Sequence, residues 1–555
     1  MKKEKGKAQS KLDKYFTISK IALVVIGVLC IIVKACVAPN PTELIWLNLV
    51  GVLFIAIAGF LHFGKSEEHS VSKVVLWLLF LVILLSWLIP SGTYSTGGTF
   101  TASEKLSRIG LVHILYGFTL SIQNFSIQIG FLLAIGLFYG VISNTDGYRA
   151  LVSRFAKFGK GKEIVVSLII SFVFAFLGSF INNTFVLLAF VPFFVTVLRK
   201  MGLDKIATFA VTFGSIFVGV LGVTFGTETL SNFVMYLGYG GSEVTLTTYL
   251  GVRFGVLALA FILFGVFEFL YIRKHLNKKG NEELEEDVFA VEETKRKNAK
   301  MWPTIVLLAF VFVIGILGFI YWNTDPNGTV VFGIDIFDKF HTMLSEIVIG
   351  KDEVAVVGTI LGQTLPNLSY DLAPAFGSWY LFNYSALLVV LAVIVAFISR
   401  MSVNEFLKNA FNGMKKLFAP ILVVILAYMS FIFIYWNPII PTIIAEIGKI
   451  SENFNPFVAT IQAAIASLFN TDFAYLGFNL SSYLGSFALK EGDITFLIYT
   501  TIYGLIGFIT PASALLVFGL SYMEIPYKKW LNYIWKFVCA MLVCLLVIFA
   551  VLAYI

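Results

Sequence analysis

Apolar runs long enough to cross a bilayer recur along the chain from residue 21 to the C-terminus, separated by short basic or polar loops. Runs of about 20 apolar residues with few charges are typical of transmembrane helices. The runs lie near residues 21–37, 44–63, 74–90, 126–143, 206–236, 248–272, 303–321, 382–398, 417–435, 494–521 and 530–554. Two further apolar stretches, 164–198 and 456–487, are broken in the middle by polar residues. The pattern predicts an all-α polytopic membrane protein with about eleven transmembrane helices and two re-entrant hairpins.

The stretch 164–198 is predicted to enter the membrane and turn back, because both of its ends are basic. Lys160 and Lys162 precede it, and Arg199 and Lys200 follow it. A single crossing would place one of these basic ends outside, against the tendency of basic loops to stay in the cytoplasm. Arms of about 14 residues, or ~20 Å of helix, would pass the midplane without reaching the far side. The stretch is therefore predicted as a hairpin that opens to the cytoplasm.

Counting the crossings from a cytoplasmic N-terminus divides the chain into two units of opposite orientation. We predict a cytoplasmic N-terminus and first transmembrane helix at 1–43, followed by a first inverted repeat at 44–272 that contains the cytoplasmic-side hairpin 164–198. A charged cytoplasmic linker at 273–302 leads to a second inverted repeat at 303–555. The second repeat contains a long outer loop at 323–381 and an outer-side hairpin at 456–487. The C-terminus is then outside, and the expected location is a bacterial plasma membrane. Two amphipathic segments, 109–123 and 438–448, are predicted to lie along the membrane interface.

Composition argues against several other classes of protein. The 555 residues are 58% hydrophobic and 13% charged, against about 25% charged in a soluble domain. The net charge of +7 does not indicate nucleic-acid binding, because the basic residues are spread over segment ends where orientation requires them. The four cysteines and five histidines show no zinc-ligand spacing and no catalytic cluster. We therefore expect neither an enzyme nor a cofactor, apart from a coupling ion such as Na⁺ or H⁺.

Four polar segments interrupt the apolar runs, and they form two matched pairs. Residues 178–184 are followed by 226–229 in the first half, and residues 467–472 by 510–513 in the second. The two members of each pair lie about 40 residues apart. A bilayer tolerates a broken helix only where protein or water satisfies the freed backbone groups. Two such breaks in each half therefore predict a substrate site at the interface between the repeats.

The hairpin tips carry residues that cap helices and bind ions. The candidates at the tips are Asn182, Asn183, Thr184, Asn470, Thr471 and Asp472. Asn, Thr and Asp are good N-caps, and the free amides of a capped helix start could hold a substrate carboxylate without a basic side chain. A sodium ion could bind to oxygens of Asn183, Thr184, Asn470 and Thr471, which are hard ligands. The alternative is that these residues only cap helices and pack.

The second member of each pair supplies further candidates, which are Gly226, Thr227, Glu228, Ser231 and Asn232 in the first half and Thr510, Pro511 and Ser513 in the second. Glu228 and Asp472 are carboxylates near the predicted midplane, where each costs ~2.5–3.5 kcal/mol unless it is paired, hydrated or protonated. We expect them to carry a proton, bind sodium or meet a substrate ammonium, with helix capping as the alternative for Asp472. Arg253 and Glu268 lie near the ends of an apolar span and are expected to snorkel.

Several short motifs resemble the C4-dicarboxylate anaerobic carrier family, the YfcC-like and DcuC-like permeases of the ion transporter superfamily. The motifs are Trp87-Leu88-Ile89-Pro90-Ser91-Gly92, the glycine-rich span Gly136 to Gly147, the segment Asn409 to Pro420, and Gly504 to Ser513 with Trp530 beyond it. The likeness covers roughly residues 74–272 and 382–554.

The resemblance implies a scaffold part and a mobile transport part that bears both hairpins, with a homodimer as the expected assembly. It also implies transport coupled to sodium or protons, or exchange. Substrates across such relatives include dicarboxylates, p-aminobenzoyl-glutamate and amino acids. One departure is Asn182-Asn183-Thr184 at the first tip, where relatives have an acidic pair, so the coupling ion and the substrate charge stay open.

The sequence hypothesis is a secondary active transporter of a small carboxylate-bearing metabolite: an amino acid, a short peptide or a dicarboxylate. It would work by elevator-like alternating access, either ion-coupled or by exchange. With two central acids and no central base, a basic amino acid exchanger of arginine/ornithine type is one alternative. A passive channel is the alternative from another class. The expected partners are the small-molecule substrate and the lipid bilayer, with no nucleic acid.

Overall fold

The computed structural model describes residues 2–63, 70–94, 99–225, 227–239, 243–276, 289, 300–349, 354–355, 374–451, 453–469 and 485–554. The described chain is almost entirely helical. Its apolar composition and long helices confirm an all-α polytopic membrane protein. The helical character follows from uninterrupted apolar runs, since every backbone group must bond within its own segment in lipid.

The first half contains eleven α-helices and one small β-hairpin among the described residues. The helices are α1 (Lys2–Val37), α2 (Ile45–Phe63), α3 (Ser70–Leu88), α4 (Leu111–Asn124), α5 (Ser126–Ile142), α6 (Asp146–Gly159), α7 (Glu163–Phe180), α8 (Val191–Lys200), α9 (Lys205–Leu221), α10 (Glu228–Tyr239) and α11 (Leu250–His275). A 3-10 helix at Thr184–Ala189 precedes α8, and α9 has a π-helical turn at Ala210–Gly214. Strands β1 (Gly92–Tyr94) and β2 (Phe100–Ala102) pair antiparallel, with Gly92 opposite Ala102.

The second half adds nine described α-helices and a second short strand pair. The helices are α12 (Trp302–Gly318), α13 (Ile336–Ser345), α14 (Leu381–Ile398), α15 (Val403–Trp436), α16 (Ile440–Gly448), α17 (Pro456–Leu468), α18 (Gly485–Gly507), α19 (Ala514–Tyr522) and α20 (Tyr527–Tyr554). Strands β3 (Val348–Ile349) and β4 (Val354–Ala355) pair antiparallel.

Each of the eleven predicted apolar runs is helical, although runs 206–236 and 494–521 each contain two helices separated by a break, and the helices of runs 21–37 and 417–435 begin well before the predicted bounds. Within the described residues, eight helices are long and apolar enough to cross a membrane, or up to nine if the bent pair α4 and α5 is one span. That pair bends by 64° at Phe125. Helices α4 and α16 match the two segments predicted to be amphipathic. The number of crossings, the inverted repeats, the terminal orientation and the interfacial placement stay predictions.

The chain reverses direction between α7 and α8. The rings of Phe174 and Phe194, on the two sides of the predicted tip, lie 5.4 Å apart between centroids, although a straight helix would separate them by ~30 Å. Helix α7 has 18 residues rather than the predicted 14 or so, and α8 has 10. Because α7 is then ~27 Å long, close to the hydrocarbon thickness, its length alone does not decide whether it crosses. The re-entrant reading remains a prediction.

Glycines from two of the family-like motifs let a helix of the first half cross a helix of the second half at close range. A Cβ atom on Gly413 of α15 would lie 2.1 Å from the carbonyl oxygen of Gly136 on α5. A Cβ atom on Gly140 would lie 2.4 Å from the carbonyl oxygen of Asn409. Small residues let two membrane helices approach backbone to backbone. These motif glycines therefore hold α5 against α15.

Candidate functional site

Two long helices are interrupted at equivalent places, and each restarts behind a hydroxyl cap. Helix α9 ends at Leu221, and the hydroxyl of Thr227 accepts the backbone N–H of Leu230 at 3.2 Å as α10 begins. Helix α18 ends at Gly507, and the hydroxyl of Ser513 accepts the N–H of Leu516 at 3.3 Å as α19 begins. A capping oxygen satisfies only one of the four free amides at a helix start. The remaining amides of α10 and α19 leave two electropositive helix starts.

The two breaks lie side by side. A Cβ atom on Gly504, one turn before the second break, would lie 2.3 Å from the Cα atom of Leu221, which immediately precedes the first break. The rings of Phe217 and Phe508 also lie 5.2 Å apart. Only glycine allows this approach, since any side chain would meet backbone. The absence of a side chain at Gly504 therefore positions one break against the other.

The first hairpin is bonded directly to the first break. The backbone N–H of Thr224 donates to the carbonyl of Ser179 at 2.8 Å, and its hydroxyl donates to the same oxygen at 3.2 Å. The two hydroxyls are themselves 3.2 Å apart. Both side chains are buried. The end of α7 and the end of α9 are thus fixed to one another through polar groups in an apolar surrounding.

The second half repeats this arrangement. The hydroxyl of Thr510 donates to the carbonyl of Leu468, the last residue of α17, and accepts the N–H of Ala512 at 3.2 Å. Thr510 lies three residues before the capping residue Ser513, and Thr224 lies three residues before the capping residue Thr227. The structural counterpart of Thr510 is therefore Thr224.

Thr224 is a candidate site residue that the sequence analysis did not name. The sequence did contain a signal, because both breaks have two hydroxyl residues three positions apart. It occurs as Thr224-Phe225-Gly226-Thr227 and as Thr510-Pro511-Ala512-Ser513.

At the first hairpin tip, the two asparagines have different roles. Asn183 caps the 3-10 helix, because its Oδ1 accepts the N–H of Phe185 at 3.0 Å. Asn182 donates its backbone N–H to the carbonyl of Phe319 at 2.8 Å. Its side chain is 7% exposed, and among the described residues its Oδ1 has no hydrogen-bond partner. Thr184 is half-buried beside them. Of the two asparagines, Asn182 is therefore the one whose buried side-chain oxygen has no described hydrogen-bond partner.

The second arm of this hairpin starts differently from the expected α-helical N-terminus. It begins as the 3-10 helix Thr184–Ala189, whose last carbonyl accepts the hydroxyl of Tyr139 at 2.8 Å, and only then continues as α8. In a 3-10 helix, fewer amides remain free and they are less well aligned. The electropositive helix starts nearest the breaks are therefore those of α10 and α19.

Helix α10 carries the next candidates. Ser231 is buried, and its hydroxyl has no partner in the part of the chain that the structure describes. Its carbonyl accepts the side-chain amide of Asn327 at 3.4 Å, while Asn232 is half-buried. Since Phe319 bonds Asn182, the segment after α12 contacts both the hairpin tip and α10. Glu228 is the first residue of α10, but its side chain lies outside the described structure, as do Gly226, Asn470, Thr471 and Asp472.

Helix α20 satisfies the carbonyls freed at the second break. The indole N–H of Trp530 donates to the carbonyl of Phe508 at 2.8 Å, and the hydroxyl of Tyr527 donates to the carbonyl of Ile509. Pro511, which has no N–H to offer, is buried next to them. This explains why the motif Gly504 to Ser513 occurs with a tryptophan beyond it.

Arg253 and Glu268 of α11 do not snorkel as expected. Arg253 is 0% exposed, donates to the carbonyl of Leu246, and lies 5.5 Å over the ring of Phe496. Glu268 is 1% exposed, and its two carboxyl oxygens lie 2.9 and 2.8 Å from the hydroxyl of Ser171 on α7. The expectation was wrong because the distance to a helix end does not reveal which face of the helix a residue occupies.

A family model described as C4-dicarboxylate anaerobic carrier matches residues 69–555, whereas no individually curated protein matches the chain. The YdaH transporter of Alcanivorax borkumensis is similar over 87% of this chain and 98% of its own, with 12% identity and a TM-score of 0.38. MtrF of Neisseria gonorrhoeae, described within a class of antimetabolite efflux pumps, is similar over 88% and 95%, with 12% identity and a TM-score of 0.35. The family match spans most of the chain: this multi-pass membrane protein is a secondary transporter, not an enzyme, and it belongs to the C4-dicarboxylate anaerobic carrier family.

Proposed function

We propose that this carrier moves a small carboxylate-bearing metabolite across the plasma membrane, with C4-dicarboxylates as the first candidate class. The observation on which the proposal depends is the pair of adjacent helix breaks, each followed by a hydroxyl-capped helix start at Thr227 or Ser513. A helix start attracts an anion through its free amides and its positive dipole end. With two such helix starts, each carboxylate group of a dicarboxylate could bind at one of them. No lysine or arginine would be needed to balance its charge.

Polar atoms near the breaks complete this proposed site. The hydroxyl of Ser231, one turn beyond Thr227, and the Oδ1 of Asn182 are buried and have no partner among the described residues. A buried polar atom without a partner is unfavourable by roughly 1–3 kcal/mol. A hydroxyl group of the substrate, or a water molecule bound to it, would donate a hydrogen bond to the Oδ1 of Asn182. A substrate carboxylate would accept one from the hydroxyl of Ser231. These atoms would therefore favour the loaded carrier.

The proposed transport motion is elevator-like. The bonds Thr224–Ser179 and Thr510–Leu468 tie each hairpin to the break beside it, and Gly504 against Leu221 ties the two breaks together. Segments joined in this way would move as one body. Helices α5 and α15, held by their glycine crossing, would belong to the stationary part, and a homodimer would form through such a part. Such a rigid-body movement would carry the site across the membrane with the moving segments and give alternating access.

A second candidate substrate class is basic amino acids. Glu228 and Asp472 stand next to a break and a hairpin tip in the sequence, so either could meet a substrate ammonium. The sodium site predicted at Asn183, Thr184, Asn470 and Thr471 remains a proposal of the same kind. Because the oxygen of Asn183 already accepts a backbone N–H, we propose Asn182 in its place.

The test is uptake into proteoliposomes that contain the purified carrier. Radiolabelled succinate, fumarate, aspartate and arginine would be offered in turn, with and without sodium, pH and counter-substrate gradients. We expect accumulation of a dicarboxylate above equilibrium, and about tenfold slower uptake in the variants Thr227→Ala and Ser513→Ala. Thr101→Ala, at an exposed position of β2, serves as the control. Accumulation of arginine alone would favour the second class, and equilibration under every gradient would contradict a carrier.

A further inference from the structure

We propose that Glu268 on α11 is a proton-binding site whose protonation is coupled to the position of the hairpin arm α7. The proposal rests on the proposed function only for its link to transport. Glu268 lies inside a 26-residue helix of high hydropathy and is 1% exposed. Its only described hydrogen-bond partner is the hydroxyl of Ser171, across the interface with α7.

The surroundings favour the neutral acid over the carboxylate. Within the described part of the chain, no lysine, arginine or histidine lies within ion-pair distance of Glu268. An intramembrane carboxylate without a cation is expensive, and such residues usually carry protons or ions. Both oxygens of Glu268 lie within hydrogen-bond distance of the Ser171 hydroxyl. A neutral acid and a hydroxyl can exchange two hydrogen bonds, one donated by each, whereas a carboxylate can receive only one from a single hydroxyl.

A row of titratable groups follows Glu268 toward the end of α11. Tyr533 of α20 has a buried hydroxyl without a described hydrogen-bond partner. The rings of Tyr271 and Tyr533 lie 4.9 Å apart. The hydroxyl of Tyr271 donates to Asp204 at 2.8 Å, and the ring of His275 stacks on Tyr271 at 4.1 Å.

The titratable groups on the elements around Glu268 are Asp204 before α9, Tyr271 on α11 itself and Tyr533 on α20, while α7 contributes Ser171. Asp204 and His275 are half-buried, so water can reach this end of the row. Glu268 would exchange its proton with solvent from this end of α11.

Protonation of Glu268 would bear on transport through α7. Ser171 lies on the helix whose end, Ser179, is bonded to Thr224 in the site. When the proton leaves, the carboxylate loses one of its two hydrogen bonds with Ser171 and is stabilised only by moving toward water or a cation. Glu268 would therefore bind a proton more tightly in one position of α7 than in the other. Protonation of Glu268 would then shift the equilibrium between these two positions.

Infrared difference spectroscopy tests the proton-binding site without any substrate. The carbonyl stretch of a protonated carboxyl group would be followed in the lipid-reconstituted carrier from about pH 5 to about pH 10. We expect a band that persists at neutral pH in the wild type, shifts in Ser171→Ala and is absent in Glu268→Gln. Glu163→Gln, at the start of α7, should retain it. A spectrum that is the same in Glu268→Gln as in the wild type, or no band at neutral pH in the wild type, would overturn the proposal.

Proteoliposomes then test the coupling, with succinate as the probe. In the wild type an inward proton gradient should raise the initial rate of succinate uptake. Glu268→Gln, which mimics the neutral acid, should lose about tenfold or more of this stimulation but keep succinate exchange within about twofold. A pH response equal to that of the wild type would refute the coupling. If no variant moves succinate, the dicarboxylate proposal fails, while the infrared result still decides whether Glu268 binds a proton.

Discussion

The hydroxyl of Thr224 and the carbonyl of Ser179, 45 residues apart in sequence, form a buried hydrogen bond that joins the first hairpin to the first helix break. Thr510 and Leu468, 42 residues apart, form its counterpart in the other half. In both cases a threonine of the break donates to a carbonyl in the last turn of the helix that precedes a predicted hairpin tip, α7 or α17. The repeated bond joins α7 to the first break and α17 to the second.

Loss of this bond should weaken both stability and transport. In Thr510→Val the carbonyl of Leu468 and the N–H of Ala512 lose their partner in a variant of nearly unchanged shape. An unsatisfied buried group costs about 1–3 kcal/mol, so thermal unfolding in detergent should occur at a clearly lower temperature, and uptake should slow. Thr510→Ser keeps the hydroxyl and should behave like the wild type. Equal unfolding temperatures for the two variants would show that the bond contributes nothing.

Gly504→Ala should separate the two breaks. Its new methyl group would meet the backbone of Leu221 at 2.3 Å, and overpacking of this kind costs about 1–3 kcal/mol. The matched control is Gly255→Ala on α11, where a Cβ atom meets nothing within 4 Å and helix propensity improves by roughly 0.5–1 kcal/mol. Unfolding temperature and uptake should therefore fall in the first variant and hold in the second. The reverse order would contradict the packing of the breaks.

Trp530→Phe should destabilise the second break. The indole N–H of Trp530 satisfies the carbonyl of Phe508 inside the protein, and its removal leaves that carbonyl without a donor. We expect a loss of about 1–3 kcal/mol in the free energy of unfolding. Trp535, one turn further along α20, is 52% exposed, so Trp535→Phe should change little. Chemical denaturation of both variants, followed by circular dichroism, measures the difference.

The sequence predicted the helices and the positions of the breaks because both depend on local composition. Apolar length sets the helices, and Gly226, Pro511 and the neighbouring hydroxyl residues mark the interruptions. The site partners were harder to predict. Thr224 was missed because its partner is a backbone carbonyl far away in the chain. Glu268 was misjudged because Ser171, 97 residues earlier, decides whether it faces protein or lipid. Tertiary packing, and not spacing along the chain, fixes these relationships.

The two asparagines of the first tip should respond differently to substitution. Asn183→Ala removes the cap on Phe185 and should lower stability by about 1 kcal/mol. Asn182→Ala removes an oxygen with no described partner, so stability should stay the same or rise, while uptake and any dependence on sodium should fall. Parallel measurements of unfolding and of succinate uptake at several sodium concentrations separate the two effects. An Asn182→Ala variant with normal transport would exclude this oxygen from the site.

The re-entrant course of α7 and α8 predicts that both flanks of the hairpin face the same side of the membrane. Single cysteines at Lys160 and Lys200, placed in a chain whose four native cysteines are replaced by alanine, report this directly. A membrane-impermeant maleimide should label neither Lys160→Cys nor Lys200→Cys in intact cells, and both once the cells are permeabilised, because basic flanks belong in the cytoplasm. Thr101 lies on β2, after the third predicted crossing from a cytoplasmic N-terminus, and is therefore expected outside. Thr101→Cys should react in intact cells, which validates the assay. Labelling of only one flank from outside would contradict the reversal of the chain between α7 and α8, and with it the hairpin.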